Sequence, residues 1–436
     1  MKLKLSFLPK IICQCQYVNV KLVQIITMIM EEFEEFALAL LDQLSVEINE
    51  EKEIMSSSSK ALQSLASKVK FEDIKLLSDK IFPWLADRVF QFTGISVSSQ
   101  TKVELLDLVE LKRLKGRKVF PTKESETYVD ELFTAIAHES SSEIAELMKK
   151  DIMRFLVYST YAKSYISKIS TTYGDYLDSK IFLNKFVLSS YPQIILHKHG
   201  EPYEAKFEYV NSGYIGALKM TILEEQIHSI QTNLQEMNKQ AVVKVNVLNE
   251  ELAKIILDLD NSTINKLSEY LQLPPVPDEF PVARKANLFF MLNPDNFIVN
   301  VLGPDVMTFT KVTIDPKISE MIPQLLDIYQ RWLKPIQIHH AAFTTMEGMA
   351  EFAVQNILKD DKDFQNYLVT FANTDITTYQ VRKSMGKDFA ETVFTKIGKN
   401  TYQTLIANPP TTKELKNPEI YLQKLWVGSL IHLLQN

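Results

Sequence analysis

Glu224 and His228 stand four residues apart in the stretch T-I-L-E-E-Q-I-H-S-I-Q, residues 221–231. Apolar residues recur there at three- and four-residue intervals, which predicts a helix, and positions i and i+4 lie on one face of a helix. A carboxylate and an imidazole placed side by side are competent ligands for zinc and related divalent metals. Two protein ligands leave such a site incomplete, so we expect a third elsewhere in the chain.

Glu347 is the best candidate for the third ligand, within F-T-T-M-E-G-M-A-E-F, residues 343–352. Gly348 beside it permits the close approach of another backbone. Glu351 follows one helical turn later on the same face, where a carboxylate can orient a ligand. The sequence therefore predicts a metal site made of Glu224, His228 and Glu347, with Glu351 behind it.

These two stretches together resemble the metal-binding helices of the gluzincin branch of zinc metallopeptidases. In that family an H-E-x-x-H helix supplies two histidine ligands and a glutamate base, and a later E-G-x-A-E-[YF] helix supplies a glutamate ligand. The resemblance implies that Glu225 is the general base, which takes a proton from the water that attacks a peptide carbonyl. It also implies an α+β, helix-rich fold with a zincin-like metallopeptidase domain, one divalent metal ion, and a peptide or protein substrate.

Three further segments extend the resemblance over roughly residues 207–422. Y-Q-V-R-K-S-M-G-K-D-F, residues 379–389, resembles a Y-x-x-G-x-x-F helix of the family with a longer spacing. N-P-P-T-T-K-E-L-K-N-P-E-I-Y-L, residues 408–422, is similar to the family stretch P-P-x-S-T-E-x-x-x-H-P-x-x-Y. Residues 207–218 are expected to be extended chain with glycine breaks, which fits the edge strand that lines the substrate cleft in the family.

Members of the family stabilise the oxyanion of the transition state with a donor that comes late in the chain, often a tyrosine or a histidine. Tyr379 and Arg382 are the candidates for this role here. Both precede the glycine of the segment 379–389.

Two positions depart from the family pattern. Glu224 replaces the first histidine, and Asn417 stands where the family often has a histidine. The added carboxylate makes the site harder and more anionic, and it lowers the Lewis acidity that the metal offers. Zinc remains the expected ion, with manganese or iron as alternatives. The substitution also supports a second hypothesis, a catalytically inactive zincin-like scaffold or binding protein.

A third hypothesis is a carboxylate-bridged iron or manganese protein, because Glu225-x-x-His228 has the E-x-x-H spacing of di-iron four-helix bundles. Such bundles need two of these motifs and two more glutamates. Of the seven histidines, only His228 has a glutamate three residues before it. Half of the required ligands are therefore absent. The simplest alternative to any metal is an ordinary amphipathic helix with solvated glutamates.

The rest of the chain reads as mostly helical, with a few segments that favour strands. We expect helices over residues 124–188, with an N-cap region at residues 140–142, and over residues 339–436 with a break at N-P-P. Residues 102–111 fit either a strand or a helix, and residues 286–312 are expected to be β-rich.

We predict three regions along the chain. Residues 28–92 are expected to form an N-terminal helical region and residues 93–436 a zincin-like domain with large helical and β insertions. Residues 1–27 are interpreted as an untranslated or disordered extension, because Met28 and Met30 offer alternative start sites before an acidic helix. An anchor on a membrane surface is the alternative for this segment.

The composition argues against several classes of protein. The net charge of −6 and the lack of a basic surplus do not fit a nucleic-acid-binding protein. The apolar stretch over residues 18–30 is too short to span a bilayer, so no stable membrane insertion is expected. Cys13 and Cys15 are the two cysteines of the chain, and a cysteine-free remainder fits a reducing, cytoplasmic location.

Overall fold

A computed structural model of the protein describes residues 2–4, 74–106, 110, 119–185, 187–188, 207–276, 281–294, 311–371 and 378–435. Helices dominate these residues and a small mixed sheet accompanies them, which confirms an α+β, helix-rich fold. The zincin-like part of that expectation stays a prediction.

The helices are α1 (Ile74–Thr93), α2 (Lys123–Ala137), α3 (Ser141–Lys150), α4 (Ile152–Thr171), α5 (Phe207–Ile230), α6 (Thr232–Leu257), α7 (Asn261–Tyr270), α8 (Pro281–Leu292), α9 (Pro316–Met321), α10 (Leu325–Ile357), α11 (Lys362–Phe371), α12 (Thr378–Ile397), α13 (Thr401–Ala407), α14 (Thr412–Lys416) and α15 (Pro418–Gln435). The strands are β1 (Lys2–Lys4), β2 (Lys102–Leu106), β3 (Gly174–Leu177), β4 (Lys180–Asn184) and β5 (Lys311–Thr313). The N-cap region predicted at residues 140–142 is confirmed, and the cap is Ser140, whose side chain accepts a hydrogen bond from the N–H of Glu143.

The strands β3 and β4 form a tight hairpin. Its two loop residues, Asp178 and Ser179, have positive φ angles of 49° and 64°, as a type I′ turn requires. β4 also pairs in parallel with β2, which gives the sheet order β2-β4-β3, and β1 pairs in parallel with β5. The expectation of helix throughout residues 124–188 is wrong at this hairpin, because no Asn-Gly or Asp-Gly pair marks the turn.

The chain divides into two compact units, and each is assembled from separated segments. One unit comprises residues 1–45, 118–165 and 238–340; the other comprises residues 46–117, 166–237 and 341–436. All candidate site residues belong to the second, which is called the site unit below. The proposed boundary at residue 92 stays a prediction.

The motif helix α5 is held in the core of the site unit by close contact with α11. A Cβ atom on Gly216 would lie 2.1 Å from the carbonyl oxygen of Asp363. Next to this contact, Nζ of Lys219 lies 2.7 Å from Asp361 and 2.8 Å from Asp363. Burial lowers the pKa of Lys219, but the hydrogen bonds to the two aspartates outweigh burial, and the net pKa is raised.

The expectation that residues 207–218 are extended is therefore wrong, because α5 already begins at Phe207. Gly216 permits two helices to touch rather than breaking a strand. The edge strand next to α5 is β3, since a Cβ atom on Gly174 would lie 2.9 Å from Cγ2 of Thr221.

A second glycine contact joins α10 to α12. A Cβ atom on Gly348 would lie 2.0 Å from the carbonyl carbon of Gly386, and one on Gly386 would lie 2.0 Å from the carbonyl oxygen of Thr344. The close backbone approach predicted at Gly348 is confirmed. It places the residues that flank the two glycines next to one another.

Helix caps account for much of the segment 408–422. Thr411 and Glu414 form a reciprocal capping box at α14, in which the N–H of Thr411 donates to the Glu414 carboxylate at 2.6 Å. The hydroxyl of Tyr421 donates to the carbonyl of Asn408 at 2.8 Å. The break predicted at N-P-P is confirmed, because α13 ends at Ala407 and α14 begins at Thr412.

Glu414 gives this segment a testable pH dependence. Burial raises the pKa of Glu414, but the hydrogen bond from Thr411 and the contact with Lys424 outweigh burial and lower it. A lowered folded-state pKa stabilises the fold above the unfolded pKa, and the contribution is lost as the pH falls through the folded value. We expect Glu414→Gln to lower the free energy of unfolding by about 1 kcal/mol at neutral pH, and by less below about pH 4.3.

Urea unfolding across the acid range measures this effect. Glutamine retains the acceptor of a capping box, so the difference reports the charge of Glu414. Glu391→Gln, at an exposed position on α12, is the matched control and should change the midpoint little. A loss for Glu414→Gln that stays constant from neutral to acid pH would contradict the assignment.

Two other sequence expectations are resolved by the structure. Residues 102–106 are a strand, and residues 281–292 are the helix α8. The β-rich interpretation of residues 286–312 is therefore wrong over α8 and right at β5, while residues 295–310 lie outside the described residues. No helix in the described part of the chain is both long and apolar enough to cross a membrane.

Candidate metal centre

Two helices bring the three predicted ligands together within the site unit. α5 carries Glu224 and His228 one turn apart, and α10 carries Glu347. One ligand atom from each residue lies within 4.8 Å of the other two. Nε2 of His228 is 3.8 Å from Oε1 of Glu347, and the two side chains are 10% and 13% exposed. A partly buried cluster of two carboxylates and one imidazole results.

Gln231 fixes the tautomer of His228. The side-chain amide nitrogen of Gln231 donates to the carbonyl of Met346 at 3.0 Å. The amide oxygen of Gln231 therefore faces Nδ1 of His228, at 2.9 Å. Because an amide oxygen only accepts hydrogen bonds, Nδ1 carries a hydrogen, and in the neutral imidazole the lone pair is on Nε2. The nitrogen that faces Glu347 is therefore the one able to bind a metal ion.

Lys383 of α12 lies between the carboxylate of Glu224, which belongs to this cluster, and that of Glu351, which does not. Its Nζ atom is 2.5 Å from Oε1 of Glu224 and 3.2 Å from Oε2 of Glu351. Glu351 also accepts a hydrogen bond from Gln355 at 2.5 Å. The predicted supporting residue Glu351 thus reaches Glu224 through a lysine, and one carboxylate of the ligand group already faces a cation.

Arg382 contacts an aromatic ring on the helix that carries Glu347. Its guanidinium carbon is 5.1 Å from the ring centroid of Phe343, a cation–π distance. Phe343 precedes Glu347 by four residues, so the two share a face of α10. Tyr379 belongs to the first turn of α12, and its side chain lies outside the described residues. The oxyanion role of both residues stays a prediction.

Glu225 follows the ligand Glu224 on α5 and is buried, with 6% of its surface exposed. An ionised carboxylate at such a position costs free energy unless hydrogen bonds or a cation compensate its charge. Its role as general base stays a prediction.

Sequence reasoning missed Gln231 and Lys383. Gln231 lies within the motif stretch, three residues after His228, and this helical spacing was an available signal. Lys383 carries no comparable signal, because its contact with Glu224 depends on how α12 crosses α10.

The chain matches no protein-family model, no curated protein and no solved structure. The likeness to gluzincins therefore depends on the motifs and on the geometry around them. Across the ranges that the structure describes, Glu224, His228 and Glu347 are the one group of three such side chains close enough to share an ion.

Proposed function

We propose that Glu224, His228 and Glu347 bind one divalent metal ion and that the protein is a metal-dependent hydrolase of peptide bonds. The observation that carries the proposal is the convergence of three ligand atoms from two helices within 4.8 Å. Two of these residues are local neighbours on α5, whereas Glu347 comes from a distant part of the chain.

The donor set fits a zinc ion in chemistry and in scale. Ligand atoms about 2.1 Å from a tetrahedral zinc ion lie about 3.4 Å from one another. The 3.8 Å between His228 and Glu347 is close to this spacing, and small rotations of the carboxylates would close the remainder. Two carboxylates also suit manganese or iron, which remain the alternatives for the metal.

A bound ion of this kind would polarise a substrate carbonyl and make a water molecule more acidic. Glu225, the residue after the first ligand, would accept the proton of the attacking water. Arg382 and Tyr379 would donate to the developing oxyanion. Glu351 would act through Lys383 to hold Glu224 in place. The substrate in this proposal is a peptide or a protein.

The second candidate is a catalytically inactive scaffold, which the ion pair between Lys383 and Glu224 favours. An ammonium group 2.5 Å from a carboxylate oxygen already balances part of the charge that would attract a metal ion. In such a protein the buried cluster would serve folding, and partner proteins would take the place of a substrate. The third candidate, a carboxylate-bridged pair of metal ions, is disfavoured because the group found among the described residues holds a single set of three ligands.

The metal content of the purified protein distinguishes these candidates. We expect near one equivalent of zinc by mass spectrometry in the wild type and loss of that zinc in His228→Ala. Removal of a ligand should weaken binding by more than the roughly 10- to 100-fold that an outer-residue substitution costs.

His138→Ala is the matched control, because His138 is exposed and lies outside the site unit. It should retain the metal of the wild type. An absence of metal from the wild type, even after zinc, manganese or iron is added, would reject the hydrolase and favour the scaffold.

A further inference from the structure

Lys383 is a charged residue of the site that no ligand motif contains. Its side chain is 17% exposed, and those of its partners Glu224 and Glu351 are 14% and 27% exposed. Charges removed from water to this extent are stable only when they are paired. The lysine and the two carboxylates therefore form a partly buried unit that borders the ligand group.

The crossing of α10 and α12 determines this arrangement. Lys383 precedes Gly386 by three residues, and Glu351 follows Gly348 by three residues. Because residues three apart share a helix face, contact between the two glycines places Lys383 beside Glu351 and towards α5. The position of the ammonium group thus follows from backbone packing.

Lys383 contacts one oxygen of the Glu224 carboxylate, Oε1. A carboxylate has two oxygens with about four lone-pair sites, so an ion can bind Glu224 while Lys383 remains in place. A carboxylate that is already paired with a cation gives less negative charge to a metal. In this respect it comes closer to a neutral imidazole.

We propose that Lys383 offsets the negative charge that Glu224 adds to the metal site, so that the pair of Lys383 and Glu224 takes the place of one neutral ligand. Exchange of a histidine for Glu224 adds one negative charge, and Lys383 adds one positive charge beside it. The net charge around the ion is then the same as that of a histidine site without the lysine. This inference rests on the metal site proposed above and names the residue that balances the charge of its unusual ligand.

The consequence is that histidine at position 224 and lysine at position 383 are incompatible. In Glu224→His the lysine loses one carboxylate partner and faces the metal as a like charge. We expect zinc to bind about 10-fold or more weakly in this variant than in the wild type. In the double variant Glu224→His/Lys383→Met the repulsion is removed and affinity should return to within about threefold of the wild type.

The single variant Lys383→Met completes the double-mutant cycle at positions 224 and 383. Removal of the ammonium group takes away its repulsion of the metal ion, which raises zinc affinity. It also releases the Glu224 side chain, which lowers zinc affinity, so the two effects oppose each other. We expect a change in zinc affinity of about threefold or less. The effect of Lys383→Met is thus small in the wild-type background and large in the Glu224→His background.

The experiment measures zinc dissociation constants by competition with a chromophoric chelator. The four proteins compared are the wild type, Glu224→His, Lys383→Met and the double variant. Circular dichroism and the unfolding midpoint show that each variant is folded. Lys396→Met, the same substitution at an exposed position in the last turn of α12, is the control and should not change the affinity in either background.

The outcomes separate this inference from the proposed function. If wild type binds zinc and Glu224→His binds it as tightly or more tightly, the metal site stands and the role of Lys383 is overturned. If zinc binds only to the two variants that lack Lys383, the lysine excludes metal from the native chain, and both proposals fail. If none of the four binds zinc, the ligand group itself is wrong. Weak binding by Glu224→His with recovery in the double variant supports the inference.

Discussion

Glu225→Gln is expected to leave one zinc ion bound and to lower the rate of peptide hydrolysis by about 100- to 10,000-fold, the usual contribution of a general base. Glutamine has nearly the same shape as glutamate but cannot accept the proton of the attacking water. Glutamine keeps the size of the buried Glu225 side chain and one acceptor oxygen, so we expect the fold to be retained. Cleavage of a peptide mixture, followed by mass spectrometry beside metal analysis, measures both quantities.

The result for Glu225→Gln distinguishes three roles for this glutamate. Loss of zinc together with activity would make Glu225 a ligand or a support for the ligands. Unchanged cleavage would exclude a general base at this position. Glu236→Gln, at an exposed position on α6, is the control for removal of a glutamate from this region and should retain both metal and activity. A wild type that binds zinc but cleaves no peptide would favour the scaffold.

The proximity of Glu224 and His228 follows from helical geometry alone. Glu224 and His228 are four residues apart, and any helix through this stretch sets them side by side. Glu347 could be predicted as the third ligand only because the residues around it resemble a family motif. No local rule links residues so far apart in sequence. The structure brings it within 3.8 Å of His228.

The lysine that pairs with Glu224 could not be predicted from the sequence, for a different reason. Lys383 meets Glu224 because α12 crosses α10 where Gly348 and Gly386 touch. The glycine on α10 predicted a close approach but not which segment approaches. Charge pairs formed across a tertiary contact require the crossing to be known first.

Glycine also caused the main error near the site. Residues 207–218 contain two glycines, and glycine in a strand-like pattern suggests breaks in extended chain. In the structure Gly216 serves the contact between α5 and α11, and the segment is helical. Glycine has the same signature in sequence whether it permits a turn or a close packing of backbones, so only the tertiary partner decides.

Part of the family resemblance has a local explanation. The letters P-P-T-T-K-E in the segment 408–422 correspond to a helix break followed by the capping box of Thr411 and Glu414. Capping boxes are common at helix starts, so this segment is weak support for a metallopeptidase. The convergence of Glu224, His228 and Glu347 is stronger support, because no capping rule requires it.

Gly348→Ala is expected to lower the free energy of unfolding of the site unit by about 3 kcal/mol or more, since the added methyl group overpacks a contact between two backbones. The Cβ atom would lie 2.0 Å from the carbonyl carbon of Gly386, and a backbone atom cannot move aside as a flexible side chain can. α10 and α12 must separate, which displaces Glu347 and Lys383 together. Zinc affinity should therefore fall along with stability.

Gly398→Ala is the matched control for this substitution. Gly398 has a φ of 61° and no atom within 4 Å of the added Cβ position, so it reports backbone strain without a clash. That strain should cost about 1 kcal/mol and leave zinc affinity unchanged. Unfolding curves and zinc titrations of both variants make the comparison.

The pair Gly348→Ala and Gly386→Ala gives the sharper form of this test. Each substitution separates the same two helices, so the second should add little once the first has forced them apart. We expect the loss of stability in the double variant to fall short of the sum of the single losses by about 1 kcal/mol or more. Additive losses, or a loss for Gly348→Ala no larger than that for Gly398→Ala, would mean that the two helices do not cross at these glycines. Lys383 would then have no structural reason to lie beside Glu224.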